Sequence, residues 1–316
     1  MLKKAQGLFP WPAPGAAVSP REGSALIPQL IVNAVSLGAI YACLGLGFSL
    51  IYGVVNIINL AYGAYLMVGA YTTYWLFARF GLDPFLSVPL TAAVAFGLGY
   101  LMQRAIINRA MRVNIISAMI LTYGFDLIAI NLILVFWSAD YQVITTAYSG
   151  RSIRLGGWAN LPYTAIGILI ACGVLALLLN LFLNGTRTGI AIQAASLNPT
   201  SARLVGIRIA RVYAVAFGVG SALAAAAGSL LATSFPVYPG VGDAFLGLVF
   251  VVTVLGGLGN VWGAVVGGLA LAAIEMASVP LLGPSFQQLV AFSVFVAVLV
   301  LRPYGLVGRQ FFAELK

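Results

Sequence analysis

Few residues in this 316-residue sequence can make or break bonds. There is no histidine, Cys43 and Cys172 both stand in apolar runs, and the seven carboxylates are scattered, which excludes metal clusters and histidine-based nucleophilic triads. Lys3, Lys4 and Lys316 are the only lysines, so no G-x-x-x-x-G-K-[ST] phosphate loop exists and the chain does not hydrolyse ATP by itself. No metal, no cofactor and no enzymatic activity are expected. What remains is recognition chemistry. Asn56, Asn59, Tyr62 and Tyr65 offer amide and phenol groups that bond a polar solute without a buried charge, although Asn side chains also join helices inside membrane bundles. Asp126 and Glu275 interrupt apolar runs, where a charge costs about 2.5–3.5 kcal/mol and generally faces a bundle interior. Glu275, near the end of its segment, suits a structural or a pathway role equally. Asp126 is a candidate ion or proton site, but Asn131 lies five residues on and faces elsewhere.

The elements that carry these residues are membrane spans. At 62% hydrophobic and 7% charged, the chain departs from the roughly 25% charged residues of soluble domains and reads as an all-α polytopic membrane protein. Its net charge of +9 does not point to nucleic acid, because no stretch between spans is long enough to fold into a binding domain; the basic residues orient spans and touch membrane lipid. Apolar runs of span length cover Leu26 to Ile51, Val54 to Phe77, Phe85 to Met102, Ile115 to Trp137, Tyr163 to Leu183, Val212 to Thr233, Ala244 to Met276 and Phe286 to Leu301. Ala244 to Met276 is 33 residues, roughly 50 Å as one helix and too long for a single crossing. The cluster Gly256, Gly257 and Gly259 offers a break, and a hairpin there places Arg302 and Arg309 on the same side as Arg104, Arg109 and Arg112. At the other end, two full crossings by the first two runs would put Lys3, Lys4 and Arg21 outside, whereas a partly re-entrant second run would place its polar start at membrane depth. Eight or nine crossings are expected. Met1 to Ser24, rich in Pro, Gly and Ala, reads as a flexible leader ahead of a spanning domain over 25–309, with a cytoplasmic tail over 310–316.

The longest interior polar interruption runs from Asn184 to Arg211 and carries Arg187, Arg203, Arg208 and Arg211 with no acidic residue. Under the positive-inside rule it marks the cytoplasmic face. Ile190, Ala194 and Leu197 recur at helical spacing, so Gly189 to Leu197 predicts a short helix with one apolar stripe. Asn198 as N-cap, Pro199 at the first position and Gly206 as the closing residue predict a second helix over Pro199 to Val205. Both are expected to lie flat on the membrane. Such a loop either docks an intracellular partner or is an ordinary connection whose arginines set topology. Elsewhere Gly259, Gly263 and Gly267 form two overlapping G-x-x-x-G steps, a face for close packing within the subunit or between subunits.

Ser36 to Tyr71, SLGAIYACLGLGFSLIYGVVNIINLAYGAYLMVGAY, resembles the amino-terminal signature of branched-chain amino-acid ABC transporter permeases of the LivH type. Gly185 to Ile207, Val254 to Gly268 (VLGGLGNVWGAVVGG) and Leu301 to Arg309 (LRPYGLVGR) agree in the same order, so the resemblance covers the chain from about Ala25 to Arg309. It departs at Tyr62, where the family usually has histidine, and at Gln193, where arginine is frequent. It implies a permease subunit of the inner membrane that imports branched-chain or other hydrophobic amino acids. It further implies a second, related permease of the LivM type, two cytoplasmic ATPase subunits and an external solute-binding protein. The arginine loop becomes the ATPase coupling element, with Arg187, Arg203, Gly206 and Ile207 in it, and Asn56, Asn59, Tyr62 and Glu275 are the substrate-path candidates. Related permeases carry urea and short amides, so those cargoes stay open, as does a secondary carrier or channel working through Asp126.

Overall fold

The computed structural model describes residues 20–111, 113–137, 139–155, 159–302 and 305–307. The first 19 residues of the expected leader and the tail 310–316 lie outside them, as do Arg112 and Arg309; Pro20 to Ser24 are helical. The chain is a helical bundle. In order it forms α1 (Pro20–Val55), α2 (Tyr62–Phe80), α3 (Pro84–Met102), a π-helical turn (Gln103–Ile107), α4 (Asn108–Ala110) and α5 (Ile115–Trp137). A hairpin of β1 (Ser152–Leu155) and β2 (Ala159–Pro162) leads into α6 (Tyr163–Gly185), α7 (Arg187–Leu197), α8 (Pro199–Leu204) and α9 (Ile209–Leu231). Then follow α10 (Val241–Gly256), α11 (Val261–Leu282), a 3-10 turn and α12 (Gln287–Leu301). The hairpin is a small addition that the apolar periodicity did not announce.

Side-chain contacts fix which helix ends share a face of the bundle. The Asn160 amide donates to Gln29 Oε1 at 2.8 Å, so α1 starts at the hairpin end. The turn between α2 and α3 is there too, with Phe85 against Tyr148 at 6.1 Å, and so is the Gln142–Val237 bridge after α5 and α9. At the opposite end Asn108 Nδ2 donates to the Ala210 carbonyl, and the Leu306 amide donates to Leu255 O at 2.7 Å. The arginine loop belongs to this second end.

Seven helical stretches among the described residues are long and apolar enough to cross a bilayer; α10, at 16 residues, is shorter. The expected hairpin inside Ala244 to Met276 is present, broken at 257–260, with Asn260 Oδ1 accepting from the Gly263 amide to start α11. The Val54 to Phe77 run is also broken, because α1 continues to Val55 and residues 56–61 are not helical. α9 forms the centre of the bundle, and small residues let its neighbours reach its backbone. A Cβ at Gly69 on α2 would collide with the Ala225 backbone, and one at Gly228 with the Leu66 carbonyl. Side chains cannot separate helices that close, which leaves dispersion and hydrogen bonds to hold them. Ser229 and Thr91 supply one such bond between α9 and α3, at 2.8 Å.

Candidate functional site

Two breaks organise the candidate path. At the first, Asn56 is the one non-glycine residue with positive φ (55°) among those described, a conformation Asn tolerates through local hydrogen bonding. The amides freed before α2 must be satisfied inside the bundle. Asn59 O accepts from the Tyr62 amide, Asn59 Oδ1 accepts from Ala61 at 3.1 Å, and Thr122 Oγ1 on α5 accepts from Leu60 at 3.1 Å. The Asn59 Nδ2 group is buried without a hydrogen-bond partner. Asp126, only 3% exposed, lies one turn beyond Thr122 and faces both the Ala64 amide of α2 and the Asp243 carboxylate in the first turn of α10. The carboxylate that looked isolated along the chain thus has a second one beside it, from 117 positions away.

The second break repeats the device. Gly257 and Gly259 have positive φ, and Asn260 caps the helix that follows. Tyr62-Gly63-Ala64 opens α2 and Trp262-Gly263-Ala264 opens α11. Each glycine abuts α10 backbone to backbone, Gly63 on Gly242 and Gly263 on Gly256, so α10 is gripped at both ends. Gly267 lies on Val252 of α10 and Gly259 on Gly53 of α1, which puts all three glycines of the G-x-x-x-G steps in contacts within the chain.

The four path candidates do not form one cluster. Asn56, Asn59 and Tyr62 sit together at the first break, with the Tyr62 hydroxyl donating to the Leu44 carbonyl at 2.6 Å. Glu275 lies apart, in a packed layer of α1, α10, α11 and α12, where Tyr41 donates to its Oε2 at 2.9 Å and Oε1 has no partner. Sequence reasoning missed Asp243 and Thr122, since nothing in local spacing joins them to the α2 start.

At the far end, the two short helices form as expected. Thr186 Oγ1 accepts from Gly189 to start α7, and Asn198 Oδ1 accepts from Thr200 and Ser201, each at 3.0 Å, to start α8. The Ile207 amide reaches Ala202 O and the Gly206 amide reaches Arg203 O, both 3.1 Å, with Gly206 at φ 87°: a Schellman closure. The buried face of α7 is Gly189, Ile192 and Ala195 rather than the predicted stripe. Ile190 and Leu197 stand 56% and 70% exposed, because Gly189 lets α7 press its other side onto Phe182 and Leu183.

A bundle of span-length helices with a buried break before α2, and an arginine-bearing loop at one end, is the build of a multi-pass membrane protein. The family model "Branched-chain amino acid transport system / permease component" matches residues 30–299, and the chain belongs to that family. It is 30% identical over 296 residues to the high-affinity branched-chain amino acid transport system permease protein BraD of Pseudomonas aeruginosa, covering 89% of this chain and 95% of BraD. It is 29% identical to LivH of Salmonella typhimurium (89% and 95% covered) and 26% identical to LivM of the same organism (87% and 69% covered). No solved structure matches.

Proposed function

We propose that this chain is the membrane-spanning permease of an ATP-driven importer of branched-chain or other hydrophobic amino acids, working with a related second permease, two cytoplasmic ATPases and an external binding protein. The observation that carries the reading is the pairing of the buried break before α2 with a rigid, capped double helix at one end of the bundle. The likeness to both LivH and LivM supports a partner permease of the same build. Alternation of helix ends supports nine crossings, by α1, α2, α3, α5, α6, α9, α10, α11 and α12, with the start of α1 opposite the arginine loop. Residues 184–211 are then the cytoplasmic coupling loop. Arg187, Arg203 and the exposed Ile190, Leu197, Leu204 and Val205 offer the ATPase a mixed basic and apolar surface, and the closure at Gly206 and Ile207 fixes how α8 presents it. The solute passes the first break, where Asn56 and the free amide of Asn59 bond it and the Asp126–Asp243 pair favours its ammonium end. Tyr62 and Glu275, engaged on α1, hold the walls.

The test is co-reconstitution with the partner chains and measurement of ATP-dependent accumulation of labelled leucine, a polar amino acid and urea. Leucine uptake that stops in Arg203→Ala and Gly206→Val, with ATP hydrolysis persisting and the subunit still in the membrane, is expected. Unchanged uptake in both variants removes the coupling assignment, and accumulation of urea instead of leucine reassigns the cargo.

A further inference from the structure

α5 differs from the other peripheral spans in what it turns outward. The exposed middle of α3 (Leu90, Val94 and Leu98) and of α6 (Ile170, Val174 and Leu177) is apolar, as a surface facing lipid tails must be. On α12 the exposed Ser293 hydroxyl is satisfied by the Leu289 carbonyl at 2.7 Å. α5 instead exposes Tyr123 (50%) and Asn131. Asn131 Nδ2 donates to the Leu127 carbonyl at 2.7 Å, but its Oδ1 has no partner among the described residues. Both residues lie deep. Asp126 is the midpoint of Ile115–Trp137, so Tyr123 and Asn131 stand about 5 and about 8 Å from it along the helix axis, inside a hydrocarbon core that extends about 15 Å to either side.

The surroundings of Asn131 say what covers it. Thr122, Asp126, Ala129 and Ile133 mark the buried side of α5, and at 3.6 residues per turn Asn131 falls on the opposite side. There Ile128, Asn131, Leu132 and Val135, with Leu127 beside them, line a groove of about 320 Å³. Their spacing is i, i+3, i+4 and i+7, the four positions that surround the hole into which a facing helix inserts a side chain. A lipid tail can fill such a groove but can bond neither the free amide oxygen nor the Tyr123 phenol. A packed helix that carries polar groups can bond both. A further exposed polar group, the Asp243 carboxylate, adjoins α5 through Asp126.

We propose that the outer face of α5 is the contact surface for the second permease, and that a helix of that chain seats a side chain between Ile128 and Val135 and donates a hydrogen bond to Asn131 Oδ1. The inference rests on the transport reading given above and assigns the subunit boundary within it. The boundary has a mechanical consequence. α5 meets the first break on one face, through Thr122 on the Leu60 amide and Asp126 on the start of α2, and meets the partner on the other. A shift between the two permeases therefore acts on the break through a single helix.

The test uses the complete transporter in its membrane, with photoreactive benzoylphenylalanine incorporated in place of Ile128 and, as a control, in place of Leu177 on α6. Irradiation is expected to join position 128 to the second permease, identified by mass, and to join position 177 to lipid only. In Asn131→Leu the permease pair, diluted in detergent, is expected to dissociate at about three- to ten-fold higher concentration, the scale of one hydrogen bond between membrane helices. Asn131→Gln is expected to stay closer to the unaltered protein, with equal amounts of all three in the membrane. An adduct with a second copy of this chain, equal adducts from both positions, or none at position 128 overturns the proposal, as does an unchanged dissociation curve in Asn131→Leu. An unaltered chain that retains no second permease at all is a different result, which sinks the transport reading itself.

Discussion

Tyr41 and Glu275 allow the sharpest energetic test. Glu275 is 3% exposed, its carboxyl has a single side-chain partner at 2.9 Å, and its other oxygen has none. Replacing Tyr41 with Phe keeps the ring, its edge contact with Phe245 (6.3 Å) and the packing, but strands the whole carboxyl. Leaving a buried polar group unpaired costs about 1–3 kcal/mol. For Glu275→Leu two effects oppose: the Tyr41 hydroxyl loses its acceptor, yet the unpaired carboxyl oxygen disappears, so the sum is near zero. The double variant Tyr41→Phe with Glu275→Leu removes both polar groups of the pair, and apolar replacement of a buried polar pair is commonly neutral or stabilising. Thermal unfolding of the purified protein is the assay. A drop of about 2–6 °C for Tyr41→Phe is expected, at about 2 °C per kcal/mol for a long chain, with the double variant at or above the unaltered midpoint. Strict additivity of the two single changes refutes the reasoning. Uptake measured on the stable Glu275→Leu protein then separates a wall residue, which leaves transport intact, from one the solute must touch.

Gly69→Leu is expected to prevent folding, since its first carbon already meets the Ala225 backbone, whereas Gly124→Ala and Gly173→Ala, which face open space, leave the protein monodisperse on size exclusion. Asn198→Ala removes two backbone hydrogen bonds and costs about 1 kcal/mol of α8 stability. Hydrogen exchange at Thr200 and Ser201 reports it, with no change in α9. At Gly206, φ 87° makes any β-branched residue strained by about 1–2 kcal/mol; Gly206→Asn is expected to retain more ATP-driven uptake than Gly206→Val.

The parts of this fold that were legible in the sequence are those written in local chemistry. Asn198, Pro199 and Gly206 announce α8 because caps act over a few residues, and the glycine cluster at 256–259 announces a break because a 33-residue run outlasts a bilayer. The first break was half visible, as a polar start to a span. What was not legible depends on who sits opposite. Ile190, Ala194 and Leu197 have helical spacing, but Gly189 decides the face by admitting Leu183, and a stripe count treats glycine as neutral. Asp126 reads as solitary because Asp243 joins it through the packing of α5 and α10 around the start of α2.

The two breaks act on one element. α10, about 24 Å long, touches the first turn of α2 at Gly242 and the first turn of α11 at Gly256, and both contacts are backbone on backbone, with no side chain to yield. The second break also receives Gly53 from α1, and the segment after α12 reaches it through the Leu306 amide on Leu255 O. A displacement at the arginine-loop end that shifts Gly259 therefore reaches Gly242 through a rigid helix. There it meets Gly63, at the start of α2 beside Asn59 and Asp126. Close packing makes such a chain switch between discrete arrangements rather than bend, which is the property a path opening alternately to two sides requires.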